Sequence, residues 1–431
     1  MKKINTSPLS GMQELLPARQ AVFDKLKANI ADVFHTHGFL NIETPVIDRT
    51  DILLSKAGGD TEKQIYKAVK TEEAAEESDQ ALRFDHTVPL ARYVVEHEND
   101  LAFPFLATQI GRNYRGERAQ KGRFREFYQC DVDVIGRGNL PVAYDAKAIA
   151  TIYRALETLN LPEMRVRLSN RKVLAGFMEA LGLSEKTVEI SNVIDHAEKV
   201  PMEATVEALK SLGIDDDTVV KITTYIGANG TPDEVEAKLR EALGDMTSVQ
   251  EGVDELRTVY DLMAGMGMAE NTVIDLMIVR GLDYYTGTVY EIILPEYRAI
   301  GSISGGGRYD NLASNFTEQK LPGVGGSIGL TRLFYALGAA GLLEDSIQNP
   351  VDYCIVPISA NEYIYALNLA DKISAAGKTA DVVLTDKKLG DKMTYASKIA
   401  KFAVVIGENE VQSGEIKAKN LTTGEYGEVI L

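Results

Sequence analysis

The run Glu126–Ile135, E-F-Y-Q-C-D-V-D-V-I, alternates so regularly that it fixes the element it forms and divides its two faces. Successive side chains of a strand point to opposite sides, so Tyr128, Cys130, Val132 and Val134 share one face and Gln129, Asp131 and Asp133 the other. One face is core-like and the other is polar. Buried polar groups need partners, so the polar face is expected to meet a ligand. The preceding run "LATQIGRNYRGE" is also strand-like and puts Arg115 and Glu117 on a common face, and the polar loop "RAQKGRFR" joins the two runs into a hairpin. Arginine, glutamine and carboxylates beside a basic loop suit a small polar substrate next to a polyphosphate.

The loop matters because of the charge around it. The chain of 431 residues has a net charge of −17, which argues against non-specific coating of nucleic acid, since that affinity comes from neutralised phosphates. A nucleic-acid partner must then be met by a local basic feature. Arg112, Arg115, Arg118, Lys121, Arg123 and Arg125 supply one, opposed within the segment by Glu117 alone.

With 45% hydrophobic and 25% charged residues, the composition is that of a globular chain long enough for two or three domains. The N-terminal "MKKINTSPLSGMQELLPARQ" has no apolar stretch after its lysines, and no run of about 18 apolar residues occurs, so no targeting or membrane-spanning segment is expected. Cys130 and Cys354 belong to no CxxC pair, which fits a reducing cytoplasm and suggests neither a disulfide framework nor a zinc site. His35 and His37, two residues apart on a helix, point to different faces and make no metal pair.

Along the chain, apolar residues fall at helical spacing from Ala18 to His37, with Gly38 as C-cap. "FLNIETPVI" reads as a strand whose Pro45 belongs at an edge or an interface. Residues 184–269 read as helical only, interrupted at 227–232, and look like an insertion. Strand signals return at "NTVIDLMIVRGLDYYTGTVYEIIL", followed by a helix near Ser327–Leu342. A strand-helix rhythm over 348–431 implies a separate small α/β domain. The expected domains are therefore 1–183 with 270–342, the insertion 184–269, and 348–431.

Two glycine runs, "SGGGRYDNL" and "GVGGSIGLTRL", match neither nucleotide-binding fingerprint, but deliver Arg308 and Arg332 beyond backbone that a ligand can approach closely. The stretch "RGLDYYTGTVYE" sets Arg280, Asp283 and the adjacent Tyr284 and Tyr285 ahead of a strand.

Together these segments resemble the histidyl-tRNA synthetases, a family of class II aminoacyl-tRNA synthetases. "GFLNIETPVI" is similar to motif 1, the dimer-interface segment; "YRGERAQKGRFREFYQCDVDVIG" to motif 2 with its tRNA-acceptor loop; and "GVGGSIGLTRL" to motif 3. "RGLDYYTGTVYE" and "SGGGRYDNL" resemble the two histidine-specific signatures, and "LRFDHTVPLARY" the segment that holds the substrate amino group. The resemblance implies an α/β chain with an α+β catalytic domain on an antiparallel sheet, a helical insertion and a C-terminal anticodon-binding domain. It implies ATP with Mg2+, L-histidine and tRNA(His) as ligands, a homodimer, and no metal site built from protein side chains.

Histidine offers a neutral ring with one donor and one acceptor nitrogen. By the resemblance, Tyr285 meets one and Asp133 the other, Tyr284 and Tyr309 line the pocket, and Asp85, Thr87 and Gln129 hold the ammonium, with His86 placed among them. Arg115 and Arg280, also counted among the histidine-binding residues, fall at the α-phosphate as the catalytic pair. Arg332 falls at the γ-phosphate, and Arg123 and Glu117 complete the ATP site, Glu117 near adenine or magnesium. Arg118 and Lys121 fall to the tRNA. After Arg332 the chain has no arginine, so anticodon contacts rest on lysines such as Lys387, Lys388 and Lys392. Two other readings share the fold: a catalytically silent regulatory subunit of ATP phosphoribosyltransferase, and an RNA-binding or sensor module.

Overall fold

The computed structural model describes residues 4–55, 62–71, 78–119, 122–279, 284–343 and 350–429. Arg280 and Lys121 lie outside them. Two compact units form, one from the chain up to Gln13 with Lys27–Leu342, the other from Glu14–Leu26 with Leu343 onward. The expected catalytic domain was continuous from residue 1, so Glu14–Leu26 is a difference from that expectation.

The first unit is built on strands β1 (Leu40–Asn41), β2 (Ile47–Arg49), β3 (Gln80–Leu82), β4 (Phe105–Tyr114), β5 (Glu126–Ile135), β6 (Arg165–Asn170), β7 (Asn229–Gly230), β8 (Thr272–Asp275), β9 (Thr288–Ile293), β10 (Ser302–Tyr309) and β11 (Gly323–Ile328). Nine of these form one sheet in the order β1-β4-β5-β11-β10-β9-β6-β8-β7. From β4 through β6 in that order every pairing is antiparallel, whereas β1 joins β4 and β8 joins β6 in parallel. The sheet is thus mixed, with an antiparallel centre. Strands β4 and β5 pair along their full length, from Phe105 opposite Ile135 to Tyr114 opposite Glu126, which is the hairpin expected from the alternation.

The two faces of β5 part as the pattern requires. Cys130, Val132 and Val134 are fully buried. The helix Ala143–Glu157 covers this side and reaches Gly326 with Ile152. Tyr290 of β9 lies on the same side, and a side chain at Gly326 would fall 1.7 Å from its hydroxyl. Only glycine there lets the tyrosine pass across the sheet.

Three segments differ from their sequence reading. "FLNIETPVI" is not one strand: β1 belongs to the large sheet, β2 pairs with β3, and Pro45, which cannot donate to a ladder, stands in the break between them. Ser327 is in strand β11, and the helix starts at Leu330, after Gly329. The insertion is not purely helical, because β7 pairs with β8 and supplies the edge of the large sheet before Thr231 caps the next helix with Glu234 in a reciprocal capping box. The N-terminal helix, Pro17–Thr36, ends as expected at Gly38, whose φ of +88° is open to glycine.

In the second unit, β12 (Val351–Pro357), β13 (Ala380–Val382), β14 (Ala400–Ile406), β15 (Lys417–Asn420) and β16 (Tyr426–Glu428) form a sheet in the order β13-β12-β14-β15-β16. Alternate residues of β12 enter two cores: Tyr353 and Ile355 pack with the helix Tyr363–Ala375, Cys354 and Val356 with the helix Leu389–Ile399. Both strand faces are covered, as parallel pairings require. Lys392 is buried here and donates to the Pro357 carbonyl at 2.8 Å, so of the three lysines expected on tRNA it is a structural one. Lys387 and Lys388 are exposed.

Arg308 is likewise not a ligand residue. It points into the core and forms a forked pair with Asp145, Nη2 to Oδ1 at 2.7 Å and Nε to Oδ2 at 3.2 Å, pinning β10 to the start of the helix Ala143–Glu157. Both side chains are buried, so removing Asp145 takes away the forked partner of a buried guanidinium and leaves it only the Asp310 carboxylate at 3.7 Å. Asp145→Ala is expected to destabilise the first unit by about 3–5 kcal/mol in denaturant unfolding. A loss under about 1 kcal/mol would show that the pair does not hold the helix to the sheet.

Candidate active site

The polar face of the sheet carries the site. Cross-strand pairing sets Asp133 opposite Gly325 and Ala107, Asp131 opposite Ser327 and Gln109, and Gln129 opposite Gly111, all on one side. Gly305 and Gly307 continue this side into β10. A side chain at Gly325 would lie 2.1 Å from the Asp133 carboxyl, so the glycines of β10 and β11 leave room for Asp133 and for whatever lies over it.

Asp85, Thr87, Arg115, Gln129, Asp131, Asp133, Tyr284, Tyr285 and Tyr309 line one small cavity of about 40 Å³. That is the space of about three waters, on the scale of one five-membered ring. Its walls are rigid. Tyr284 packs edge-on against Tyr285 and Tyr309, with ring centres 5.1 and 5.9 Å away. Tyr309, buried, donates to Asp133 Oδ1 at 2.6 Å, and burial together with that carboxyl keeps its own proton on.

Electrostatics divide the carboxyls. Burial raises the Asp133 pKa from 3.8 to about 8, against the pull of the Tyr309 hydrogen bond. Asp85 is also raised by burial, while the Val88 amide and the Arg115 charge pull the other way. A cation entering the cavity would restore the charged form of both. Asp131 is engaged instead: Oδ2 accepts from His86 Nδ1 at 2.9 Å and Oδ1 from the Ser327 hydroxyl. His86 is fully buried behind the cavity and does not line it. Its place in the histidine-binding set is therefore corrected: the start of the helix Thr87–Glu96 turns the ring toward Asp131.

Arg115 stands at the junction. It lines the small cavity, a larger one of about 430 Å³, and an aromatic one of about 370 Å³. Its guanidinium is clamped 4.2 Å from the centre of the Phe84 ring and 5.0 Å from that of Phe127, with Nε donating to the Phe84 carbonyl. Gln64, Glu117, Arg123, Phe124 and Arg332 also line the aromatic cavity, and Arg123 pairs with Glu117 at 3.1 Å. No sequence pattern marks Phe84 and Phe127; they flank the arginine only once the segment after β3 lies against the hairpin.

In the basic hairpin, Arg112 of β4 pairs with Glu126 of β5, and Arg125 donates to the backbone of Ser10 and Glu117. Arg118 is exposed. The larger cavity shares Glu291 and Ser302 with a neighbouring cleft lined by Arg167, Lys199 and Arg298, where Arg167 bonds Asp275. Among the described residues no group of three or more His, Cys, Asp or Glu side chains is arranged to hold a metal.

A mixed sheet with an antiparallel centre, a basic hairpin loop, and a glycine-floored polar cleft leading to an arginine-bearing helix define a class II aminoacyl-tRNA synthetase catalytic domain. The profile of the family described as histidyl-tRNA synthetase matches residues 11–333, and that of the anticodon binding domain matches residues 352–431. The chain belongs to the histidyl-tRNA synthetase family and carries its anticodon-binding domain. It is 42% identical to the histidine–tRNA ligase of Clostridium tetani, over 98% of this chain and 96% of that protein. The histidyl-tRNA synthetase of Nostoc sp. PCC 7120 superposes with a TM-score of 0.87 at 36% identity, covering 99% of this chain and 97% of that one. The fold also matches a Bacillus halodurans C protein titled as an ATP phosphoribosyltransferase regulatory subunit/histidyl-tRNA synthetase, with a TM-score of 0.78 at 23% identity over 94% of this chain and 99% of that one.

The raised pKa of Asp133 has a consequence for stability. Because the folded value lies above the ordinary 3.8, the stability linked to this group is present below about pH 4 and is lost as pH rises to about 8. Asp133→Asn keeps a neutral acceptor for Tyr309. In the ligand-free protein it should therefore raise Tm relative to the parent, by a margin that grows from about pH 4 to about pH 8 and flattens beyond. A pH-independent difference would place the Asp133 carboxyl in a wetter setting.

Proposed function

We propose that the chain works as a histidine–tRNA ligase: the small cavity takes the histidine side chain, the neighbouring cavities take ATP, and the acceptor end of tRNA(His) meets the hairpin loop. The observation that carries this reading is the position of Arg115, shared by the amino-acid-sized cavity and both larger ones. The substrate carboxylate and the α-phosphate must meet at such a junction. The carboxylate attacks the α-phosphorus, the bond to the bridging oxygen breaks, pyrophosphate leaves, and histidyl-adenylate remains. No protein nucleophile is required. Charge building on the α-phosphate oxygens meets a guanidinium already held by two rings and a carbonyl, which is stabilisation without reorganisation. Arg280, at the head of the tyrosine signature, is the second cation assigned to that phosphate.

Asp133 and Tyr285 read the two ring nitrogens, Tyr284 and Tyr309 shape the pocket, and Asp85, Thr87 and Gln129 take the ammonium, whose charge answers the buried Asp85. Phe127 offers an apolar plane for adenine, with Glu117 and Arg123 beside it and Arg332 toward the γ-phosphate. Mg2+, which would be brought with ATP and would offset the phosphate charge, is an ion that keeps waters and uses one or two carboxylates. Glu117 and Glu291 are the acids on the cavity walls nearest to that role.

Exposed Leu40 and Ile47 lie in the motif 1 segment, and their apolar surface supports a homodimer formed there. Lys387 and Lys388 are the cations of the C-terminal domain best placed for anticodon phosphates. Two free, buried cysteines agree with a cytoplasmic setting. The match of the anticodon-binding domain over 352–431 favours a ligase over a regulatory subunit.

Histidine-dependent ATP–pyrophosphate exchange tests the reading: wild-type chain should catalyse it with histidine and not with other amino acids, and a silent regulatory relative would show none. Arg280→Ala should lower exchange by roughly 100- to 1000-fold with the fold intact, and exchange within tenfold of wild type would remove Arg280 from the α-phosphate.

Arg118 separates the half-reactions. Arg118→Ala should slow aminoacylation and lower the slope of its salt dependence by about one unit, while exchange without tRNA stays near wild type. Equal loss of both reactions would assign the loop to ATP instead.

A further inference from the structure

We propose that His86 is a positioning residue for histidine activation: through Asp131 and Ser327 it fixes the side-chain amide of Gln129 so that its oxygen, not its nitrogen, faces the substrate ammonium. The proposal rests on the reading of Gln129 as an ammonium ligand.

The argument follows the direction of each hydrogen bond. A carboxylate only accepts, so the His86 ring must carry its proton on Nδ1, where it meets Asp131 Oδ2 at 2.9 Å. For the same reason the Ser327 hydroxyl must donate to Asp131 Oδ1. Its proton thus committed, Ser327 can only accept from Gln129, and it does so from Nε2 at 2.6 Å. The Gln129 oxygen is left on the other side, where Asn113 Nδ2 donates to it at 2.8 Å. That oxygen has a second lone pair left for a ligand, and Gln129 lines the cavity. An amide is nearly symmetric in shape, so only its partners decide which end faces a ligand. Turned over, Gln129 would present an N–H to an ammonium.

His86 holds the far end of this chain. Its ring is fully buried, its backbone carbonyl accepts from Gln109 Nε2 at 3.1 Å, and Gln109 in turn accepts from Thr44 at 2.8 Å. Among the described residues, Nε2 of the ring has no hydrogen-bond partner. It faces Gly111, where a side chain would lie 3.3 Å from Nε2 and 2.6 Å from Nη2 of Arg83. The ring therefore acts through Nδ1 alone. Without that donor, Asp131 loses one of its two fixed partners and can turn its carboxylate away from Ser327. The Ser327 hydroxyl is then able to donate to Gln129, and the amide can flip.

The test uses the side-chain geometry of amides. The nitrogen of an asparagine falls near the position of Nδ1 and can still donate to Asp131, whereas a glutamine reaches the position of Nε2 and cannot. In pyrophosphate exchange, His86→Gln and His86→Leu should raise KM for histidine by about tenfold, with KM for ATP within about twofold of wild type, and His86→Asn should restore most of the loss. Ser327→Ala, at a partly exposed position, cuts the same chain without disturbing the core and should reproduce the histidine-specific rise if a buried variant fails to fold. The relay is overturned if KM for histidine and ATP rise together, if asparagine rescues no better than glutamine, or if Ser327→Ala leaves histidine KM unchanged. Gln129→Met separates the two levels. If it leaves histidine KM unchanged, the ammonium assignment of Gln129 is wrong; if it raises KM while His86→Leu does not, the relay alone fails.

Discussion

Everything at the site depends on one strand having two unlike faces. Cys130, Val132 and Val134 anchor β5 in the core, and that anchoring forces Gln129, Asp131 and Asp133 onto the opposite side at fixed spacing. Burying Asp131 and Asp133 and half-burying Gln129 there is costly unless each finds a partner. Tyr309, Ser327, His86 and Asn113 provide them, and the bonds that meet this cost also make the pocket stiff. The glycines of β10 and β11 are the counterpart. They remove side chains from the strands beside β5, so the polar face opens into a cleft instead of being packed over.

Charge is then used sparingly in an acidic chain. Arg115 is held by aromatic rings and a carbonyl, so it is oriented without being neutralised by a bonded carboxylate in its clamp. Arg308 shows the opposite arrangement: it is forked onto Asp145 and serves the fold. Arg115, just past the end of β4, and Arg308, inside β10, thus end in unrelated roles, because the end of β4 leads to the cleft and the Arg308 side chain points to the helix layer.

That contrast marks how much was legible in the sequence. The hairpin of β4 and β5, its polar face and the small C-terminal α/β domain follow from alternation and turn chemistry, which are local. Asp85, Thr87, Arg115, Gln129, Asp133, Tyr284, Tyr285 and Tyr309 line one cavity, and what marks them as a set in the sequence is the resemblance of their segments to those of a known family. What the pattern could not carry was direction across the fold. Arg308, Lys392 and His86 each looked available for a ligand and each is turned inward, toward Asp145, the end of β12 and Asp131. Strand β7 was hidden because two residues carry no periodicity, and Pro45 divides two strands of separate sheets where the composition reads as one.

The central claim is that a closed pocket reads both nitrogens of an imidazole. Binding of L-histidine can be compared by titration calorimetry with its two forms methylated on one or the other ring nitrogen. The account predicts that each methyl group weakens binding by about 100-fold or more, since each removes one hydrogen bond and needs space that the cavity lacks. Either methylated form binding within about tenfold of L-histidine would contradict it, because that nitrogen would then be unread.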